Sequence, residues 1–570
     1  MKKRINLYSA LLAVIMVLAS CSKPPQDLTD VKSDVNPSPL VVKAGKINAQ
    51  INLTFPAKFI PKKAVVELIP VLSYGGGEVE GKSVTVQGEK VEDNNTSISY
   101  ANGGGIAIPV SFDFQKEMRL SELQVKAKIT IGSKEYTTPA YKVADGVNAI
   151  ETLVNDRQAE PALGEDAFQR VIPDMAKADI HYIIQQANIR NSQLRDEDIK
   201  ALKEFIKEAQ AAENKEFAGV DVSSYASPDG PEDLNKRLAE RRESNADKYI
   251  KGVLKRDKVD ASKDGFIDSK FTPEDWEGFK ELLEASSVDD KDLILRVLSM
   301  YSDPEVREKE IKNLSAAYKE LAEDILPQLR RSRFTVNVNV IGKSDEEIAE
   351  LAASNPSELN VEELLYAATL TDDNAKKLDI YKKVTSVYPK DWRGYNDMGC
   401  VLFETMKFDE AEKAFSKAAE ADATSPEVQN NLGAIALVNG DVAKAKEYFG
   451  KAAGAGDELT YNLGLVNIHE GNYAAAVKNL GNSATNNAAL AKILTEDYKG
   501  ALATLNSVEN PICMTDYLKA IVGAKTNDKT LVMSSLKAGV EKNEALKKMA
   551  VTELTFAEYF EDPEFKSIVE

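Results

Sequence analysis

Residues 398–418, MGCVLFETMKFDEAEKAFSKA, return 34 positions later as residues 432–452, LGAIALVNGDVAKAKEYFGKA. Gly399, Ala411, Phe415 and Ala418 of the first copy become Gly433, Ala445, Phe449 and Ala452 of the second. A third copy, three residues shorter, carries Leu463-Gly464 and Ala476 with Leu480. Small residues at these positions let paired helices approach closely, and the phenylalanines fill space between neighbouring repeats. A unit of this size cannot bury its apolar face alone, so the copies must stack.

A 34-residue period with Leu-Gly in one helix and Ala…Phe…Ala in the next resembles the tetratricopeptide repeat. The resemblance implies an all-α solenoid over 358–570, with weaker copies around 364–389 and from Ala489 onward. Such an array has no chemistry of its own and offers a concave surface to a protein partner, which the sequence does not identify.

At the other end, Met1-Lys2-Lys3-Arg4 precedes an apolar run from Ile5 to Ala19, followed by Ser20-Cys21. A basic start, a short apolar core and small residues before a cut describe a secretory signal peptide over 1–20. The run is too short for a spanning helix, which needs about 20 apolar residues. Leu18-Ala19-Ser20-Cys21 resembles the bacterial lipobox, which implies cleavage before Cys21, acylation of its sulfur and a membrane held by N-terminal lipid. Two or three acyl chains anchor firmly at about 0.8 kcal/mol per buried methylene.

The formal charge is −19, and losing Lys2, Lys3 and Arg4 with the signal makes it −22. A surface that acidic repels phosphate backbones, which excludes nucleic acid as a partner. Cys400 and Cys513 have no metal-site spacing and sit among apolar helical residues, where a cysteine acts as a small hydrophobe. With only His181 and His469 and no G-x-S-x-G, P-loop or dinucleotide fingerprint, no catalytic residue, metal or cofactor is expected. His469, before Glu470-Gly471, reads as a helix C-terminal cation. Carboxylate pairs such as Asp289-Asp290 read as solvated helix caps.

Between the ends the composition changes twice. Residues 21–39 are Pro/Ser/Asp-rich and read as a flexible tether. Ile47, Ala49, Ile51, Leu53 and Phe55 alternate, as do Leu123, Val125, Ala127, Ile129 and Ile131, with Gly-rich turns around them, so 40–148 reads as a β-sandwich. Residues 165–345 mix strands (from Ile180, 217–225, 333–340) with helices (196–212, 231–254), an order that reads as α+β or α/β, here taken as an α/β unit with a helical insertion over 257–326. Helix starts are read at Thr272-Pro273-Glu274-Asp275 and Ser302-Asp303-Pro304-Glu305.

Within that unit, Ser224-Tyr225-Ala226-Ser227-Pro228-Asp229-Gly230 followed by Asn235, Leu238 and Arg242 resembles the peptidoglycan-binding domain of the OmpA family. There a turn with Asp and Gly leads to a helix bearing Asn, Leu and Arg. The resemblance implies that Arg242 holds a carboxylate of the stem peptide's diaminopimelate. The turn aspartate that takes its ammonium group is replaced here by Ser227; either Asp229 serves instead or ligand binding is lost. Independently, Arg242 lies in the middle of the helix face formed by Leu234, Leu238, Asn245, Tyr249 and Val253, and a guanidinium there needs an anion to offset desolvation. A protein carboxylate would satisfy that need as well as a ligand would.

The full order of parts is similar to Bacteroidales outer-membrane lipoproteins of the immunoreactive surface antigen type. That grouping implies a non-enzymatic envelope anchor or scaffold at the outer membrane, peptidoglycan-associated through the OmpA-like domain. The alternative is an accessory factor for a surface secretion or pilus complex, with the middle domain kept for its shape.

Overall fold

The structure is a computed structural model that describes residues 27–288, 290–313 and 319–570. The signal peptide over 1–20, Cys21 and Asp289 lie outside the described residues. The described chain forms two compact units: residues up to Glu165 together with Asp373–Glu570, and Asp166–Asp372.

The first unit begins with two sheets. One joins Lys32–Asn36, Val42–Lys43, Lys46–Phe55 and Gly104–Asp113, and the other has seven strands built on the antiparallel pair Ala64–Tyr74 and Ser121–Ile131. Alternation sends Ile47, Ile51, Leu53 and Phe55 of one sheet and Leu123, Val125, Ala127 and Ile129 of the other into one core. Where it is described, from Asp27 on, the segment expected as a tether belongs to the fold. Lys32–Asn36 pairs with Lys46–Phe55, and Leu28, Val31 and Val35 are buried, so three spaced hydrophobes dominate the polar residues around them.

The same unit ends in helix pairs. Trp392–Glu404 packs with Phe408–Ala421, Pro426–Val438 with Val442–Phe449, Asp457–His469 with Tyr473–Leu480, and two further pairs follow through Lys529–Lys542. Ala411, Ala418, Ala445, Ala452 and Ala476 are buried. The glycines are fixed by contact within a repeat: a Cβ on Gly399 would lie 2.5 Å from the Phe415 ring, on Gly433 2.4 Å from Phe449, and on Gly464 2.6 Å from Leu480. Phe415 and Phe449 therefore sit against the glycine of their own repeat.

The second unit carries a four-stranded sheet ordered Val171–His181, Arg331–Ile341, Lys215–Tyr225, Ile267–Thr272, of which only the last pair is parallel. Helices Glu197–Ala211 and Glu232–Arg256 share one core with Val220, Val222, Phe334 and Val336, while Asp221, Ser223, Thr335 and Asn337 occupy the other face. Of the two arrangements the element order allowed, α+β and α/β, this is an α+β layer, with a single parallel strand pair. The insertion is not wholly helical. Ile267–Thr272 is an edge strand, which moves the helix start from Thr272 to Asp275, whose carboxylate accepts from the Gly278 N–H. Helices Trp276–Ala285, Lys291–Met300 and Pro304–Asn313 follow, with Phe279, Leu283, Ile294 and Ile311 in a separate small core.

Because Gly433 has no room for a methyl group, Gly433→Ala is expected to destabilise the array by about 1–3 kcal/mol, the usual range for overpacking. Adding Phe449→Leu restores part of the loss. Urea unfolding followed by circular dichroism measures both, and an Ala variant as stable as wild type would contradict the close contact.

Candidate functional site

The first helix of each repeat presents a buried polar residue two positions before its glycine: Asp397, Asn431 and Asn462. Across them runs the chain's own segment 154–165, which leaves the β-region, makes one 3-10 turn at Asp156–Gln158 and then crosses the helix pairs in an extended path from Ala159. The Glu160 N–H donates to Asn462 Oδ1 (2.8 Å), the Ala162 N–H to Asn431 Oδ1 (2.7 Å) and the Gly164 N–H to Asp397 Oδ1 (2.7 Å). The Glu160 carbonyl accepts from Asn462 Nδ2 (2.8 Å) and Asn430 Nδ2 (3.0 Å), and the Ala162 carbonyl from Asn431 Nδ2 (2.8 Å) and Asn396 Nδ2 (2.9 Å). Further along, Asn487 pairs with both backbone groups of Asn155, at 2.9 and 3.0 Å.

The pattern has a simple cause. In an extended chain alternate residues turn their N–H and C=O to the same side. A side-chain amide carries one acceptor and a donor pair, so it can bond a residue on both. Repeats in register therefore grip every second residue, and a carboxylate such as Asp397 serves only the N–H. Ala162 and Gly164 turn inward and are buried, while Leu163 and Glu165 turn outward. A Cβ on Gly164 would meet Arg393 Cγ at 2.7 Å and Trp392 Cη2 at 2.9 Å.

Ionic contacts flank this ladder. His469 closes the helix Asp457–His469, the helix-end place read from the sequence, and its Nε2 also lies 2.9 Å from Asp156 of the strap; burial works against its charge, yet the Asp156 contact holds it above its ordinary value. The buried Cys400 thiol donates to the Ala162 carbonyl at 3.4 Å, and burial pushes it well up, a polar role the apolar reading missed. Beyond the strap, Glu151 accepts from the Ala44 and Gly45 N–H groups and from Tyr473, and Arg119 pairs with the buried Glu553 at 3.2 Å. The groove expected to receive a partner thus holds residues of this same chain.

The second unit contains the residues singled out around Arg242. The strand Lys215–Tyr225 and the turn after it deliver Ser227 and Asp229, and the helix Glu232–Arg256 delivers Asn235 and Arg242, to one cavity of about 120 Å³. Arg242 is 1% exposed. Its Nε and Nη2 donate to the Gln186 carbonyl (3.1 and 2.9 Å), its Nη1 donates to the Tyr225 carbonyl (2.8 Å), and it stacks over Tyr182. Burial pulls its guanidinium down to about 10, with the Tyr182 oxygen partly opposing. Among the described residues no carboxylate forms an ion pair with it, so carbonyl dipoles stand where an anion was expected. Asp229 instead pairs with Arg330 at 3.0 Å, and Ser227 Oγ accepts from Arg330 Nε at 3.1 Å while donating to Asp229. Asn235 donates to the Gly230 carbonyl (2.9 Å) and to Glu274 (3.2 Å), closing the turn.

Arg330 and the ladder were missed in the sequence. Arg330-Arg331 carries no local pattern, whereas the ladder does: Asn431-Leu432-Gly433 and Asn462-Leu463-Gly464 repeat a polar residue in step with the glycine.

No family model matches the chain, and no curated protein does. Among solved structures it is similar to a tetratricopeptide repeat protein from Parabacteroides merdae (14% identity over 37% of this chain and 91% of that one, TM-score 0.28). It is also similar to pilF of Pseudomonas aeruginosa (15%, 38% and 98%, TM-score 0.27) and to PilW, a type IV pilus biogenesis factor (14%, 40% and 98%, TM-score 0.27). The tetratricopeptide class of the array stands on its own period, helix pairing and glycine contacts.

Asp397 supplies a pH test. Burial raises its carboxyl from 3.8 to about 7, against the Gly164 and Asn396 donors and Arg393, and with Asp391 adding repulsion. An acid held above its unfolded value favours the folded state when protonated, so stability at this site is lost as pH rises from about 4 to 7. Asp397→Asn keeps the acceptor without the charge. Its melting temperature is expected to exceed wild type by a few degrees at pH 8, with the gap narrowing at pH 5. Calorimetry at both pH values checks this, and a gap independent of pH would contradict the assignment.

Proposed function

We propose that this protein is a non-enzymatic, lipid-anchored scaffold of the bacterial outer membrane whose second unit associates with peptidoglycan through the Arg242 cavity. The observation that carries the wall association is a buried guanidinium with no carboxylate partner beside an open cavity. Burying a cation with carbonyl dipoles and one aromatic ring but no carboxylate paired with it is costly, and an entering carboxylate offsets that cost. The lipobox at Cys21 supports anchoring, and among the described residues no helix is long and apolar enough to cross a membrane. The helix array supports a role in protein–protein contact.

A specific observation favours a second reading, an accessory role in a surface secretion or pilus complex without wall binding. Arg330 already neutralises Asp229, so the turn carboxylate is not free for an ammonium group.

Retention on purified peptidoglycan separates the two. Wild type is expected to be retained, and Arg242→Ala and Arg242→Lys to lose at least about tenfold, since a lysine cannot reproduce the guanidinium fork. Melting curves confirm that both variants are folded. Equal retention of folded variants removes the wall association. In parallel, Cys21→Ser should abolish fatty-acid labelling and move the protein to the soluble fraction; unchanged labelling overturns the anchor.

A further inference from the structure

The ladder recognises main chain and little else. Its contacts with Glu160, Ala162 and Gly164 reach backbone N–H and C=O groups, which every residue except proline carries. What it demands of side chains is space. Ala162 and Gly164 face inward with no room to grow at Gly164, whereas Leu163 between them is 51% exposed. A surface with these two properties is a receptor for an extended peptide with small residues at alternate positions, and the strap fits that description because it is the ligand already bound.

We propose that the groove is a backbone-reading peptide site held closed by its resident strap, so that a partner presenting an extended segment of the same pattern enters only where the strap has left. This rests on the scaffold reading of the array and names how the array takes a partner. Tethering decides the competition. A segment of the same chain rebinds intramolecularly, at an effective concentration that reaches about 1 mM for short linkers. A free peptide of equal intrinsic affinity must therefore approach that concentration before it competes. The ladder also explains why the groove stays polar: Asn396, Asn430, Asn431 and Asn462 are fully buried, and emptying the groove would strand their amides unless another backbone took the place.

The test uses the full mature chain and a fluorescent peptide of residues 154–166. Glu160→Pro/Ala162→Pro, on either side of Pro161, keeps the strap extended while deleting two of its N–H donors. Wild type is expected to show no binding at tens of micromolar peptide. The double-proline chain should bind at least about tenfold more tightly, and adding Asn431→Ala to it should remove the binding. A peptide carrying the same two prolines should not bind. If the double-proline chain does not fold, Gly164→Ala, which crowds only the strap's end against Arg393 and Trp392, takes its place with the same expected order. Wild type binding as tightly as the variant would show the groove is not closed by the strap. A folded variant that takes no peptide would show it is not a peptide site. Either outcome overturns the proposal.

Discussion

Backbone amides cannot be buried without partners, and the segment 154–165 is buried in part with no strand beside it. The array meets that requirement with side-chain amides in place of a neighbouring strand. Asp397, Asn431 and Asn462 stand at equivalent helix positions, so a single repeated residue choice yields a row of acceptors spaced for alternate residues. Leaving one such group unsatisfied costs about 1–3 kcal/mol. The ladder is consequently a strong constraint on the first unit. It joins the β-region near the amino terminus to helices that end the chain, and Arg119 with Glu553 fastens the same two parts at a second point. In sequence, residues 166–372 of the second unit separate the strap from the array.

Much of this architecture is legible in the sequence because it is periodic. A 34-residue recurrence identified the repeats, and alternation identified Lys46–Phe55 and Ser121–Ile131, since a half-buried strand must alternate. What lacks a period was misread. The strap has none, and its partners lie up to 332 residues away. The residues before Pro37 look like a tether, yet three hydrophobes spaced by three or four positions are enough to bind them to the sheet. Ile267–Thr272 was hidden because an exposed edge strand carries too few inward residues to show alternation. Arg242 could be found from a helix wheel, but Arg330, which neutralises Asp229, arrives from 101 residues away.

The two sites share a logic of polarity placed where packing would favour apolar residues. Buried polar networks are stable only when complete. The ladder is completed by the chain's own backbone, and the odd member, Asp397, is the one whose ionisation burial resists. Around Arg242 the protein supplies carbonyls and an aromatic face but no carboxylate, beside a cavity of about 120 Å³. Each feature fixes a distant segment of one chain without a disulfide; Cys400 and Cys513 are both free.

Residue-resolved hydrogen exchange of the intact chain tests the clasp most directly. The amides of Glu160, Ala162 and Gly164 should exchange as slowly as those in the buried array helices, with Leu163 and Glu165 between and beyond them exchanging faster. Rapid exchange at all five, at the rate of an open linker, would contradict the account.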